Sequence, residues 1–445
     1  MSHPRKRRIQ RVLALSTAAL LSVSLFGCAS NDVGHGGAGA ADQRRFSALT
    51  VGHDVTEDVS AGKKKSKAPV VWAHRGASKI APEETRAAYE QALKDGADVL
   101  EGDVAQTKDG VLIIIHDDTL SRTTNVEEVF PDRSPWNVRD FTLAEIKQLD
   151  AGSWWDDSYA GEKILTLREW IAFDNGRAGL APELKRPEVY PGIVENFARE
   201  MRHWGYTSGN LKAKNGAPMI WVQSFSEQAL KDFGALLPDV PVFALVSGYT
   251  YINGTDEVLA DVATWADAIA GNPALSRASQ VSRAKAFGLT VIGEVEDSPE
   301  LIEATVNQGY DVVFTDVPDV AKAQLSGKNP LPHRGAVVID TVLYDPAGDD
   351  IAAEGGEYVA LRNTSNRAVD LSGYTVRDFS NNVLSVGNGA VIEPGSRYFI
   401  YVGPGTDRAD AHFNGRTAGV FNNTVTDHAF LYNGKGIVDI YSYIA

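Results

Sequence analysis

From residue 70 to residue 324 the chain alternates short apolar runs with stretches of helical character. Residues 242–245 form one such apolar run, and residues 278–287 form a helix-like segment. Repeated β/α units over roughly 250 residues are typical of a (β/α)8 TIM barrel. We therefore predict this α/β fold for residues 69–325. The link at residues 105–110 is too short for a helix, so one unit is incomplete, and residues 121–157 predict an inserted lobe.

A second domain is predicted after the barrel. Residues 326–334 form a breaker-rich linker, beyond which the pattern changes to strands alone. Apolar, aromatic runs such as 358–361 and 437–443 are separated by Gly, Asn and Asp turns. This spacing predicts a small antiparallel, immunoglobulin-like β-sandwich over residues 335–445.

The first residues have the composition of a targeting segment. A basic run at residues 5–8 precedes an apolar stretch, residues 12–26, that is too short to span a bilayer. We predict a signal peptide over residues 1–28 and a flexible linker over residues 29–68. Cys28 is the only cysteine of the chain, so no intramolecular disulfide is possible.

The position of Cys28, after a small residue, resembles a bacterial lipoprotein box. We therefore expect an exported, cell-surface lipoprotein held at the membrane by a lipid anchor on Cys28. The alternative is ordinary cleavage beside an incidental cysteine, which would give a secreted protein. The formal net charge of −15 argues against nucleic acid as a partner.

Polar side chains follow several of the apolar runs, where a barrel assembles its active site. They are His74, Arg75, Glu101, Asp103, His116, Glu183 and Lys185. Positions i and i+2 of a strand share a face, so Glu101 and Asp103 can share one ion. With Glu183 they form an all-oxygen set suited to Ca²⁺ or Mg²⁺, although surface acids are the alternative.

The two histidines suit proton transfer near neutral pH. Phosphodiester hydrolysis needs one group to deprotonate the attacking hydroxyl and another to protonate the leaving alkoxide, and His74 and His116 are the candidates. Arg75 and Lys185 would neutralise the phosphate.

These motifs resemble those of the glycerophosphodiester phosphodiesterase family. The family order is His-Arg-Gly, Pro-Glu-Asn-Thr, Glu-x-Asp, His-Asp, Glu-x-Lys and Thr-Asp-x-Pro. The matching segments begin at His74, Pro82, Glu101, His116, Glu183 and Thr315. The C-terminal region resembles the lamin-tail domain through residues 357–363 and 369–374. Its ligand is not indicated by the sequence.

The resemblance implies a small-molecule glycerophosphodiester substrate, hydrolysed to glycerol 3-phosphate and an alcohol. It also implies His74 and His116 as the acid/base pair and Glu101, Asp103 and Glu183 as ligands of a divalent cation. Arg75 and Lys185 would then bind the phosphate.

Two positions depart from the family pattern and bear on substrate preference. Glu84 replaces the usual Asn, and Glu294 stands in a segment where many members carry a Trp-Thr pair. With Phe225, these residues are candidates for the substrate pocket. A related lysophospholipase D-like or polymer phosphodiesterase is one alternative, and a non-catalytic surface binding or adhesion protein is another.

Overall fold

The computed structural model describes residues 68–245, 251–353, 355–423 and 426–444. The predicted signal peptide, Cys28 and nearly all of the predicted linker lie outside these ranges. Among the described residues, no helix combines the length and the apolar character needed to cross a membrane.

A closed parallel barrel forms the first part of the described chain. Its strands are β1 (Val70–Ala73), β2 (Val99–Gln106), β4 (Gly179–Leu184), β5 (Val222–Ser224), β6 (Val242–Ala244), β7 (Ala268–Gly271), β8 (Thr290–Val295) and β9 (Val312–Thr315). Each pairs in parallel with its neighbours, and β1 closes the barrel by pairing with both β2 and β9. The predicted TIM barrel is therefore confirmed.

The incomplete unit takes the form of a hairpin. Strand β3 (Leu112–Ile114) turns back and pairs antiparallel with β2 instead of entering the barrel. The run before His116 is therefore not a barrel strand, although the sequence pattern treated it like the others. Because β3 runs back towards the site, His116 is brought beside the level of Asp103.

Helices cover the outside of the barrel and form part of the inserted lobe. They are α1 (Arg86–Lys94), α2 (Val126–Val129), α3 (Leu143–Ile146), α4 (Leu167–Asp174), α5 (Ile193–His203), α6 (Glu227–Leu236), α7 (Asp256–Val262), α8 (Ala278–Ala286), α9 (Pro299–Gln308) and α10 (Pro318–Leu325). Several begin at a Ser or Thr whose hydroxyl accepts a backbone N–H of the first turn. At α1 this residue is Thr85 of the Pro-Glu-x-Thr motif, which gives that threonine a structural role.

The C-terminal region is all β, as predicted. Its strands are β10 (Val337–Leu343), β11 (Tyr358–Asn363), β12 (Val369–Asp370), β13 (Thr375–Arg377), β14 (Val383–Ser385), β15 (Val391–Ile392), β16 (Arg397–Tyr401), β17 (Ala411–Phe413), β18 (Asp427–Asn433) and β19 (Gly436–Tyr443). They form two four-stranded sheets and a short two-stranded ribbon within the described residues. Alternating side chains of the two larger sheets share one apolar core.

The sandwich packs against the barrel through a separate buried apolar cluster, to which both domains contribute. From the barrel side it includes Val71, Val313 and Val320, and from the sandwich Phe430 and Ile440. All five side chains are almost completely removed from solvent. The two domains are therefore joined by a packed interface, which fixes where loops of the sandwich lie relative to the barrel.

Candidate active site

Strand alternation explains why the candidate residues face one another. Trp72, Val99 and Ala181 belong to one buried apolar cluster inside the barrel. His74, Glu101 and Glu183 lie two residues further along the same three chain segments, so their side chains point to the same side as those apolar residues. Because alternate residues point to the same side, these polar groups continue the interior column at the carboxyl end of the strands.

The residue between the two acids of β2 is glycine for a packing reason. A Cβ at Gly102 would lie 2.4 Å from Tyr89 Oη and 3.1 Å from Ile114 Cγ2. Gly102 faces outward under α1, so Glu101 and Asp103 both face inward.

The three predicted metal-ligating acids form a compact buried cluster. Glu101, Asp103 and Glu183 can each present one oxygen such that all three lie within 4.8 Å of one another. Asp103 and Glu183 are direct neighbours in the register of β2 and β4. Each of the three residues is nearly inaccessible to solvent.

The electrostatics of the cluster favour a cation. Burial, together with the neighbouring charge of Asp103, raises the pKa of Glu183 to about 8 and raises the pKa of Glu101 well above its usual range. Burial would also raise the pKa of Asp103, but Lys185 and His116 hold it well below its usual range. Asp103 Oδ2 accepts no hydrogen bond, although Arg75 Nε lies 3.2 Å away. Crowded carboxylates with a spare buried oxygen fit a hard divalent cation.

His74 is held by a carboxylate that follows β9, the strand paired with β1. Its Nδ1 lies 2.7 Å from Asp316 Oδ1. Asp316 also accepts a hydrogen bond from Ser78 and pairs with Lys79 at 2.8 Å. Burial, aided by the charge of Arg75, lowers the pKa of His74. With Nδ1 bonded to Asp316, Nε2 is the ring nitrogen available for proton transfer.

His116 is arranged in the same way at the other side of the acids. Its Nδ1 lies 2.6 Å from Asp117 Oδ1, and Asp117 is in turn bridged by Arg122. Arg122 also donates two hydrogen bonds to Glu83. Burial, with the charge of Arg75 next in effect, lowers the pKa of His116. Its Nε2 is again the free nitrogen.

Two cations flank the acid cluster. The Arg75 backbone takes a φ of 55°, its N–H donates to Glu101 Oε2 at 2.9 Å, and its guanidinium donates to Glu83. Lys185 Nζ lies 3.1 Å from Glu183 and 3.5 Å from Asp103. Both can contact an anion that binds over the carboxylates.

Two cavities meet at these residues. The first, termed the His74-side cavity, has a volume of about 330 Å³ and is lined by both histidines, Arg75, Glu101, Glu183 and Lys185. The second, termed the His116-side cavity, has a volume of about 660 Å³ and is lined by His116, Glu183, Lys185 and the polar loop 117–119. The acid/base candidates therefore share one space.

The three candidate pocket residues take different positions. Phe225 is largely exposed and lines both cavities. Glu294 lines the His74-side cavity, where Asn272 donates to its carboxylate. Glu84 is buried at a φ of 60°, and its carboxylate accepts the backbone N–H of Asp103 at 2.7 Å. Burial, with the charge of Asp103, raises the pKa of Glu84 well above its usual range.

Sequence reasoning gave no role to several groups that the fold brings to the site. Gln223 donates to Glu101 at 2.8 Å, and Asp316 orients His74. Asp316 lies in the Thr-Asp-x-Pro motif that matched the family pattern, which was the available signal for it. Lys79 and Phe379 carried no such signal, because neither lies in one of the matching motifs.

Comparison with known proteins identifies the family of each domain. The model of the glycerophosphoryl diester phosphodiesterase family matches residues 74–320, and that of the Lamin Tail Domain matches residues 331–445. A glycerophosphodiester phosphodiesterase of Bacillus subtilis (strain 168) is 33% identical over 257 residues, which are 56% of this chain and 83% of the relative. One from Caldanaerobacter subterraneus subsp. tengcongensis is 33% identical over 254 residues, which are 56% of this chain and 95% of the relative.

A solved structure from Silicibacter pomeroyi DSS-3, which is named after the same family, has 22% sequence identity to this chain and a TM-score of 0.51. It covers 60% of this chain and 96% of that chain, and at this identity the likeness shows the fold alone. Fold and site together define a TIM-barrel enzyme of the phosphoric diester hydrolase class. The chain belongs to the glycerophosphoryl diester phosphodiesterase family, with a lamin-tail domain after the barrel.

Proposed function

We propose that this enzyme hydrolyses glycerophosphodiesters to glycerol 3-phosphate and an alcohol, with His74 and His116 as the acid/base pair. Glu101, Asp103 and Glu183 would hold Ca²⁺ or Mg²⁺. The observation that carries the proposal is that both histidines line one cavity, which Glu101 and Glu183 also line.

In this proposal each histidine transfers protons through the ring nitrogen that no carboxylate contacts. Asp316 and Asp117 each engage Nδ1, which leaves Nε2 of His74 and of His116 for the substrate. A neutral imidazole can take the proton of the attacking hydroxyl, and a protonated one can donate to the leaving alkoxide. The attacking oxygen belongs either to water or to a hydroxyl of the substrate, and detection of a cyclic phosphate by ³¹P NMR would distinguish the two routes.

Charge compensation would come from the groups around the acids. Arg75 offers a planar pair of donors to phosphate oxygens, and Lys185 offers a point charge. A bound divalent cation supplies further neutralisation of charge on the phosphoryl oxygens.

A lysophospholipase D-like activity is the second candidate. The observation that favours it is the apolar wall of the His74-side cavity, formed by Phe243, Leu245, Ala270 and Phe314. An acyl chain would be compatible with such a wall. Comparing glycerophosphocholine with a lysophospholipid as substrate separates the two activities.

The test is release of glycerol 3-phosphate from glycerophosphocholine by the purified chain lacking residues 1–28. Release should vanish after chelation and return with Ca²⁺ or Mg²⁺. His116→Ala should lower kcat by about two decades or more, since a positioned acid or base contributes about 10²–10⁴-fold. His203→Ala, on the exposed face of α5, serves as the matched control.

Two results would contradict the proposal. Turnover of the His116→Ala variant near that of the wild type would remove His116 from the mechanism. Absence of release with either ion would reject glycerophosphocholine hydrolysis.

We also propose that the protein is exported and anchored in the membrane through lipid on Cys28. The support is the basic and apolar segment before this single cysteine. A Cys28→Ser variant should move from the membrane fraction to the medium and lose incorporation of labelled fatty acid. Equal labelling of both forms would reject the anchor.

A further inference from the structure

The C-terminal domain contributes a side chain to the catalytic cavity. Phe379 lies in the loop between β13 and β14 and lines the His74-side cavity. Its ring centroid is 6.2 Å from that of His74, with 20° between the ring planes. Phe314 of the barrel contacts the same imidazole edge-on at 5.0 Å. One face of the candidate catalytic histidine is therefore bounded by the lamin-tail domain.

Hydrogen bonds within the loop that carries Phe379 stabilise its conformation. Asp378 accepts the backbone N–H of Asn382 at 2.6 Å and its side-chain amide at 2.8 Å, which closes the turn. Asn381 takes the left-handed conformation that this turn requires, with a φ of 66°. The conformation of the loop is thus set by its own sequence.

The loop is also tied to the barrel at the site. The carbonyl of Phe379 accepts a hydrogen bond from Lys79 Nζ at 2.7 Å, and the same ammonium pairs with Asp316. Lys79 Nζ lies 4.8 Å from the centroid of the Phe379 ring. Tyr432 of β18 donates to the Lys79 carbonyl at 2.7 Å. These contacts connect Phe379 with the carboxylate that orients His74.

The two cavities differ in the substrate groups they can accept. The His116-side cavity is the larger, and its wall includes the charged residues Asp118, Arg186 and Glu188. It suits leaving alcohols of varied size and polarity. The His74-side cavity, at about 330 Å³, lies near the lower end of the roughly 300–1,000 Å³ of small-molecule sites. The His74-side cavity suits the part that all glycerophosphodiester substrates share, which is the glycerol group with its phosphate.

We propose that Phe379 is a substrate-selecting residue that closes the His74-side cavity against an acylated glycerol. This inference rests on the proposed function. The barrel wall of the cavity is apolar and compatible with an acyl chain, whereas the Phe379 ring occupies the space into which such a chain would extend. The lamin-tail domain thereby sets the preference for glycerophosphodiesters over lysophospholipids.

The test compares glycerophosphocholine with its short-chain hexanoyl derivative, used below its micelle concentration. Phe379→Ala should raise the ratio of kcat/KM for the acylated over the non-acylated substrate by about tenfold or more, since tenfold is the lower end of the discrimination that a single methylene group gives in an apolar pocket. Phe379→Trp should leave the ratio at or below that of the wild type.

The matched control is Phe399→Ala. Phe399 lies on β16 of the same domain, is half-buried like Phe379, and packs against Tyr358 and Tyr401 away from either cavity. It should leave the ratio unchanged. A Phe379→Ala variant that loses activity on both substrates in parallel, or keeps the wild-type ratio, overturns the proposal, because a merely structural role predicts those results.

A binding measurement separates this inference from the proposed hydrolysis. Calorimetry on the full chain with Ca²⁺ or Mg²⁺ would compare glycerol 3-phosphate with its hexanoyl ester. Phe379→Ala should strengthen binding of the ester relative to glycerol 3-phosphate by about tenfold. If the wild type hydrolyses neither substrate but this shift occurs, the proposed function fails and the role of Phe379 stands. An unchanged binding ratio overturns the role of Phe379 whatever the activity.

Discussion

The buried pair of Lys79 and Asp316 offers a quantitative test of how the two domains and the site are joined. Their charged atoms are 2.8 Å apart, and each side chain is only 2% exposed. Removing one member of a buried pair costs about 3–5 kcal/mol, because the other charge stays buried without its partner. Lys79→Met and Asp316→Asn should each lower the free energy of unfolding by about this amount.

The double variant should be no less stable than either single variant, since it removes both charges together. We therefore expect a coupling energy of about 3 kcal/mol or more, at the upper end of the values for residues in direct contact. The measurement is equilibrium urea unfolding at pH 7, followed by far-UV circular dichroism and tryptophan fluorescence, with all four proteins at one protein concentration. The second probe tests whether barrel and sandwich unfold together, as their shared apolar cluster implies.

A surface pair provides the matched control. Lys94 and Glu90 lie 3.8 Å apart on α1, and their side chains are 64% and 52% exposed. A double-mutant cycle on Lys94 and Glu90 should give a coupling energy of no more than about 0.5 kcal/mol. If the effects of the two substitutions at Lys79 and Asp316 add to within about 0.5 kcal/mol, the buried pair is not a coupled unit and the reasoning is refuted.

Two further predictions concern stability. Gly102→Ala should cost about 1–3 kcal/mol in urea unfolding, because its Cβ would meet Tyr89 Oη at 2.4 Å; wild-type stability would contradict this packing. In the sandwich, burial raises the pKa of Glu357 from 4.5 to about 7. Stability from this group is therefore fully present below pH 4.5 and lost as pH rises through 7. The melting temperature of Glu357→Gln relative to wild type should increase from pH 5 to pH 8, and a constant difference would refute the assignment.

Much of the fold could be predicted because its signals are local. The helix predicted at residues 278–287 is confirmed as α8 (Ala278–Ala286), whose buried residues Val281 and Ala284 repeat at helical spacing. Strand β7 and helix α7 were not predicted. The four residues of β7 are mostly alanine and glycine, which give little strand signal.

The site residues could be predicted where a chemically suitable side chain comes at the end of a strand. Asp103 and Glu183 are register neighbours on β2 and β4, and Glu101 lies two residues before Asp103 on the same face of its strand, so alternation and parallel pairing bring the three acids together. His116 reaches the same cavity by a different route, on an antiparallel return strand that the apolar run did not distinguish from a barrel strand.

The sequence by itself determined the barrel, the sandwich and the order of the polar motifs, because these depend on periodicity and on residues a few positions apart. The tertiary structure alone decided that Lys79 is buried and that Phe379 enters the catalytic cavity. The two residues are separated by 300 positions in the chain. Their contact depends on how two separately patterned domains pack through an apolar interface, and local sequence patterns do not encode such a long-range arrangement.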